Sequence, residues 1–147
     1  MKAGTTISST ALLNDTVFEH TTIFITEYNE KGAMGFVVNK PFGRNLNELE
    51  EFKNSRPFPL YDGGPVDKEH VFFLHQRPDL IIGGTPVADG IYQGGDFKQA
   101  VALMNNQKIT GKDIKLFIGY CGWDDGELDS EVAEGSWEVL PSPASPF

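Results

Sequence analysis

The stretch IKLFIGYCGWDDGELDSEVAEGSWEVL, Ile114 to Leu140, carries three kinds of local signal in a row. Ile114–Tyr120 is rich in β-branched and aromatic residues and reads as a strand. Asp124 followed by Glu127 marks a helix start: an acceptor side chain, then one three positions on that can reach back. Leu128 and Val132 give an apolar pair at i,i+4, and Gly135 suits the left-handed residue that ends a helix. Ser136–Leu140 reads as another strand. The stretch therefore predicts strand, capped helix, strand.

Charge is concentrated in the same place. Asp124, Asp125, Glu127, Asp129, Glu131, Glu134 and Glu138 all follow Lys115, and no Lys or Arg does. These seven acids account for most of the chain's net charge of −9. Proteins that grip phosphates cluster Lys and Arg. Here the 12 basic residues are scattered, and Lys108, Lys112 and Lys115 read as a solvated face. Direct contact with nucleic acid is disfavoured. With 147 residues, 39% hydrophobic and 22% charged, the chain fits one soluble globular domain, residues 1–147. No apolar run reaches the roughly 20 residues needed to cross a bilayer, so no membrane association is expected. The single Cys121 excludes an internal disulfide and suits a reducing compartment, the cytoplasm by default.

Working outward, Thr22–Tyr28 and Ala33–Asn39 are β-rich segments around Asn29-Glu30-Lys31-Gly32, which predicts an antiparallel hairpin ended by Pro41. Phe58–Tyr61 and Val71–His75 are further strands. Asn45 with Glu48 and Asp96 with Gln99 repeat the helix-start signature. Residues 141–147 form a proline-rich tail expected to run extended over the surface. Strand and helix do not alternate regularly, so the class is α+β rather than a doubly wound sheet.

No familiar catalytic or metal motif emerges. A calcium loop beginning at Asp125 has Ser130 where glycine belongs and Ser136 where the closing acid belongs. Glu127 and Glu131 share a helix face and could hold a cation or act as an acid/base pair. Alternatively, the early acids simply favour the positive end of the helix dipole. Carboxylates around Cys121 would raise its pKa, which suits a buried thiol better than a nucleophile. Gly94-Gly95 ahead of Asp96 reads as turn chemistry, since an acid at the cap would repel an anion. Neither a cofactor nor a metal is expected.

Four motifs in order, Gly32-Ala33-Met34-Gly35-Phe36-Val37-Val38-Asn39-Lys40-Pro41, Gly63-Gly64-Pro65-Val66, Leu74-His75 and Gly119-Tyr120-Cys121-Gly122-Trp123 with Gly126, Leu128, Glu131 and Trp137, resemble the YqgE/AlgH family of small bacterial proteins. The resemblance runs nearly end to end. It implies a mostly antiparallel α+β fold in which a small closed β-barrel and an attached sheet are surrounded by helices. It implies no particular activity; some members are labelled transcriptional regulators of exopolysaccharide synthesis, which does not establish DNA contact. Glu127-Leu128-Asp129 stands where the family more often has Gln-Leu-Glu, and Cys121 where it has a small residue without a thiol.

The leading expectation is a non-enzymatic cytoplasmic protein that acts through protein contacts, with regulation as the role considered and oligomeric state open. The candidate ligand or partner site comprises Asn39, Gly63, Gly64, Pro65, His75, Trp123, Glu127, Asp129 and Glu131. Trp123 and Trp137 beside the acids fit an interface, and equally fit the core. The rival is a small-ligand binder or hydrolase-type enzyme, which requires Asn39, His75, Glu127 and Glu131 to meet around one pocket.

Overall fold

Ile114–Asp124 forms the longest strand of the molecule, and the sheet is arranged around it. The computed structural model describes residues 1–141 and 144–147. In chain order the strands are β1 (Thr6–Ser9), β2 (Thr22–Asn29), β3 (Gly32–Val37), β4 (Pro41–Asn45), β5 (Pro59–Asp62), β6 (Val66–His75), β7 (Thr85–Ala88), β8 (Ile91–Gln93), β9 (Ile114–Asp124) and β10 (Trp137–Val139). Helix α1 (Phe97–Asn105) precedes β9, and α2 (Glu127–Ala133) follows it.

The sheet order is β10-β1-β2-β3-β9-β6-β8-β7. Strand β9 serves two neighbourhoods. Its first half pairs with β6 and, in parallel, with β5; its second half pairs with β3. Gly119 lies between the halves with φ +75 and reverses the alternation of side chains. Before it, Leu116 and Ile118 share a core with Ala100 and Met104 of α1. After it, Cys121 and Trp123 share a second core with Leu128 of α2. Phe117 and Tyr120 belong to a third cluster, where Phe36 stacks on Phe117 at 4.8 Å between centroids.

That junction explains a glycine motif. Gly63 N–H donates to the Ile118 carbonyl and its own carbonyl accepts from Val37 N–H, so the Gly63-Gly64 turn threads between β9 and β3. A Cβ on Gly63 would strike the Gly119 carbonyl, and one on Gly64 the backbone of Tyr120. Three backbones meet where side chains do not fit.

The expected closed barrel is not present. Among the described residues β7 and β10, the two ends of the path, do not pair, so the sheet wraps but stays open. Gly4 lies against Ala88 of β7, yet no ladder bonds join them; β7 spans Thr85–Ala88 only, and its Pro86 has no N–H to offer. The described residues contain two α-helices, not a surrounding layer of them.

The hairpin β2–β3 forms as expected, turning through Gly32 at φ +135. Pro41 does not merely end a strand: it opens β4, which pairs only with β5. Asp96 caps α1, accepting from Gln99 N–H at 3.1 Å, but the Gln99 side chain binds Ile82 N–H instead of reaching back. Glu48 reaches back as expected and accepts from Asn45 N–H at 3.2 Å, but the turn it caps is 3₁₀ rather than α-helix. Leu46, Leu49 and Phe52 recur every three residues and pack into one core, a spacing that two 3₁₀ turns satisfy. Of the expected tail, Ser142 and Pro143 lie outside the described residues. Ala144–Phe147 has no regular structure, and Pro146 is buried rather than spread over the surface.

Candidate functional site

Helix α2 begins later than its sequence signature implies. Strand β9 continues through Asp124, and Gly126, left-handed at φ +75, caps the helix. Glu127 still reaches back, accepting from Asp124 N–H at 3.4 Å. Glu127 and Asp129 stand in the first turn, where the helix dipole favours acids.

Glu131, one turn on, has a different task. A single oxygen, Oε1, accepts the indole N–H of Trp123 at 3.1 Å and of Trp137 at 2.9 Å. The two indoles meet edge-on, and Phe18 packs edge-on against Trp137 at 5.6 Å. Both tryptophans are buried. One carboxylate thus joins β9, α2 and β10, and each indole finds the polar partner it needs when buried. Trp123 and Glu131 belong to the structure of the region rather than to its open surface.

The open surface lies beside them. The β2–β3 turn and the start of α2 enclose a cleft of about 230 Å³ lined by Tyr28, Glu30, Asp124, Asp125 and Asp129, among others. Tyr28 Oη donates to Asp129 Oδ1 at 2.5 Å, and that bond holds the phenol above its usual pKa. Among the described residues no Lys or Arg pairs with these four carboxylates. Nor does any group of three His, Cys, Asp or Glu side chains there have the arrangement to hold a metal ion.

The remaining expected site residues do not gather at this cleft. Asn39 pins a loop: its Oδ1 accepts from Thr22 N–H at 3.0 Å and its Nδ2 donates to the His20 carbonyl at 2.9 Å. Gly63 and Gly64 allow the close backbone approach described above. Gly64 and Pro65 also line a second cleft near Lys40. Cys121 is buried, and burial pushes its thiol up to about 12. His75 is fully buried between Phe73 and Tyr92; its Nε2–H donates to the Gly94 carbonyl at 3.1 Å and Nδ1 accepts from Arg77 N–H at 3.1 Å. The four-residue constellation of Asn39, His75, Glu127 and Glu131 does not form: Asn39 binds Thr22 and His20, His75 binds Gly94 and Arg77, and the two glutamates are engaged at the end of β9.

The His75 environment has a measurable consequence. Burial lowers its pKa below 6.5, so the folded protein favours the neutral ring. Its contribution to stability is therefore present above pH 6.5 and is lost as pH falls toward the lower folded value. Exposed His70, hydrogen-bonded to Asp67, shifts the opposite way. In an NMR titration His70 should protonate above pH 6.5 and His75 below it; His75 protonating at or above 6.5 would contradict this environment.

Lys115 was legible only as part of a solvated face, but it is half-buried. Its Nζ donates to the carbonyls of Val38 at 2.7 Å and Pro146 at 2.9 Å and lies 4.1 Å from the centre of the Tyr61 ring. Burial pulls its pKa down to about 8. A lone lysine inside the apolar run Ile114–Ile118 was the available signal.

The architecture is that of a mostly antiparallel open-sheet protein whose acidic C-terminal region packs around an indole-carboxylate clamp. Residues 5–146 match the family model described as AlgH-like. The chain belongs to the AlgH-like family. It is 37% identical over 137 residues to a UPF0301 protein of Chlorobaculum tepidum, covering 93% of this chain and 73% of that one. A UPF0301 protein of Bacteroides thetaiotaomicron is 32% identical, covering 92% and 69%. The solution structure of the AlgH protein from Pseudomonas aeruginosa superposes with a TM-score of 0.78 at 25% identity, covering 99% of this chain and 79% of that one. These names state no activity. Among the described residues no helix is long and apolar enough to cross a membrane.

Proposed function

We propose that this protein acts by binding a basic segment of another protein in the acidic cleft between the β2–β3 turn and α2, and that this contact serves regulation. The observation that carries the reading is the set of four carboxylates, Glu30, Asp124, Asp125 and Asp129, around one cleft without basic partners among the described residues. Complementary charge raises encounter rates and sets orientation. The groups that chemistry would recruit are already engaged: both nitrogens of His75, the amide of Asn39 and the shared oxygen of Glu131. A negative cleft does not suit nucleic acid. The cytoplasm suits a chain whose one thiol is buried and has no second cysteine to pair with.

Calorimetry with a decapeptide of alternating lysine and glycine tests the reading. Combining Asp124→Asn, Asp125→Asn and Asp129→Asn should weaken binding about tenfold or more at low salt and leave the unfolding midpoint nearly unchanged. Neutralising Glu51, Asp89 and Glu138 removes the same charge elsewhere and should change affinity by less than about twofold. Equal losses from the two sets would mean that only net charge is being read, and the cleft would have no role.

A further inference from the structure

A second cleft, of about 170 Å³, lies between the segment Val17–Thr21 and the turn at Gly64-Pro65. The segment is fastened from below. Asn39 holds the His20 carbonyl, and Lys40 Nζ donates to the Glu19 carbonyl at 2.8 Å. Phe18 leans on Trp137. Val17, in contrast, is 79% exposed at the rim, a large apolar side chain left in water beside an apolar wall. Val37 and Pro65 continue that wall.

Charge at this cleft runs against the rest of the molecule. Lys40, Lys68 and Asp62 line it, giving a local charge of +1 in a chain of net −9. An ammonium has three donors. Lys40 uses one on the Glu19 carbonyl, and Lys68 uses one on Asp62 at 2.5 Å. Each retains donors for a further acceptor.

We propose that this cleft binds a small monocarboxylate with an apolar body. The ammoniums of Lys40 and Lys68 receive the carboxylate, and Val17, Phe18, Val37 and Pro65 cover the hydrocarbon. Asp62 offsets one of the two positive charges, which matches a monoanion rather than a dianion. At ~30 Å³ for a group the size of a water or methylene, the volume holds about five or six such groups, the carboxylate included. The ligand class is a short aliphatic acid of about four to six carbons.

The test is a series of straight-chain acids, butanoate to decanoate, titrated into the full chain by NMR and calorimetry, with the alkylamine and alkyl phosphate of matching length alongside. Affinity should rise about three- to fourfold per methylene and level off near six carbons. The amine should bind at least about tenfold more weakly than the acid. Lys68→Met should cost about fivefold or more in affinity, and Val17→Ser should flatten the dependence on chain length. Lys40→Met removes a tether of the Val17–Thr21 segment as well as a charge, so Lys68→Met, exposed and outside the core, decides the matter if Lys40→Met alters folding. Absence of saturation at about 20 mM octanoate would overturn the proposal. So would equal binding of acid and amine, affinity unchanged in Lys68→Met, or an alkyl phosphate bound about tenfold more tightly than the acid.

Discussion

Gly63→Ala is expected to remove more than about 4 kcal/mol of stability, or to leave no soluble protein. The new Cβ meets the Gly119 carbonyl, with Phe117 Cβ at 2.9 Å and Phe36 Cδ1 at 3.1 Å behind it. The carbonyl is backbone of the central strand, held on either side by the pairing of Ile118 with Val71 and of Tyr120 with Val66. Phe36 and Phe117 are both fully buried in the aromatic cluster, so neither ring has room to yield. Gly111→Ala is the matched control, because a Cβ there meets nothing within 4 Å. Its effect should stay within about 1 kcal/mol by urea denaturation. A Gly63→Ala protein as stable as the control would show that the strand junction is not close-packed.

Glu131→Leu is expected to cost about 2–4 kcal/mol. It strands two buried indole N–H groups, and hydrogen bonds to a charged group contribute about 1.5–3 kcal/mol each without being additive. Glu131→Gln keeps an acceptor oxygen of similar reach, so it should cost less than half as much. The leucine variant should also shift tryptophan emission, since both indoles of the protein sit on this one oxygen. Equal losses from leucine and glutamine would mean that the carboxylate contributes packing and not acceptance. The same residue shows why neutralising every acid of the C-terminal region at once cannot test binding: one of them holds the region together.

Strands that alternate strongly or carry dense β-branched composition were legible from sequence, as were the β2–β3 hairpin and the Asp96 cap. Several short strands were not. Strand β1 offers only Thr6–Ser9, and β7 and β8 are set by pairing with each other and with β6 rather than by local composition. The extension of β9 past Tyr120 was hidden by Gly119 and Gly122, which depress strand propensity but permit the change of partner from β6 to β3. The site divides in the same way. Glu127 and Glu131 share a helix face by spacing, yet one turns back to Asp124 N–H and the other inward to two indoles; only the packing of β9 against β10 through α2 separates them. His75 carried a chemical label and proved to be a core side chain. Asp129 alone of the expected carboxylates faces the acidic cleft, joined there by Glu30, which its own strand turn supplies from far away in sequence.

Binding localised at that cleft can be read residue by residue from amide NMR of the labelled chain titrated with the lysine–glycine decapeptide. The largest shifts should fall on residues 28–33 and 124–129, with the indole signals of Trp123 and Trp137 little moved. Shifts spread evenly over the acidic surface, or centred on any other face, would contradict it.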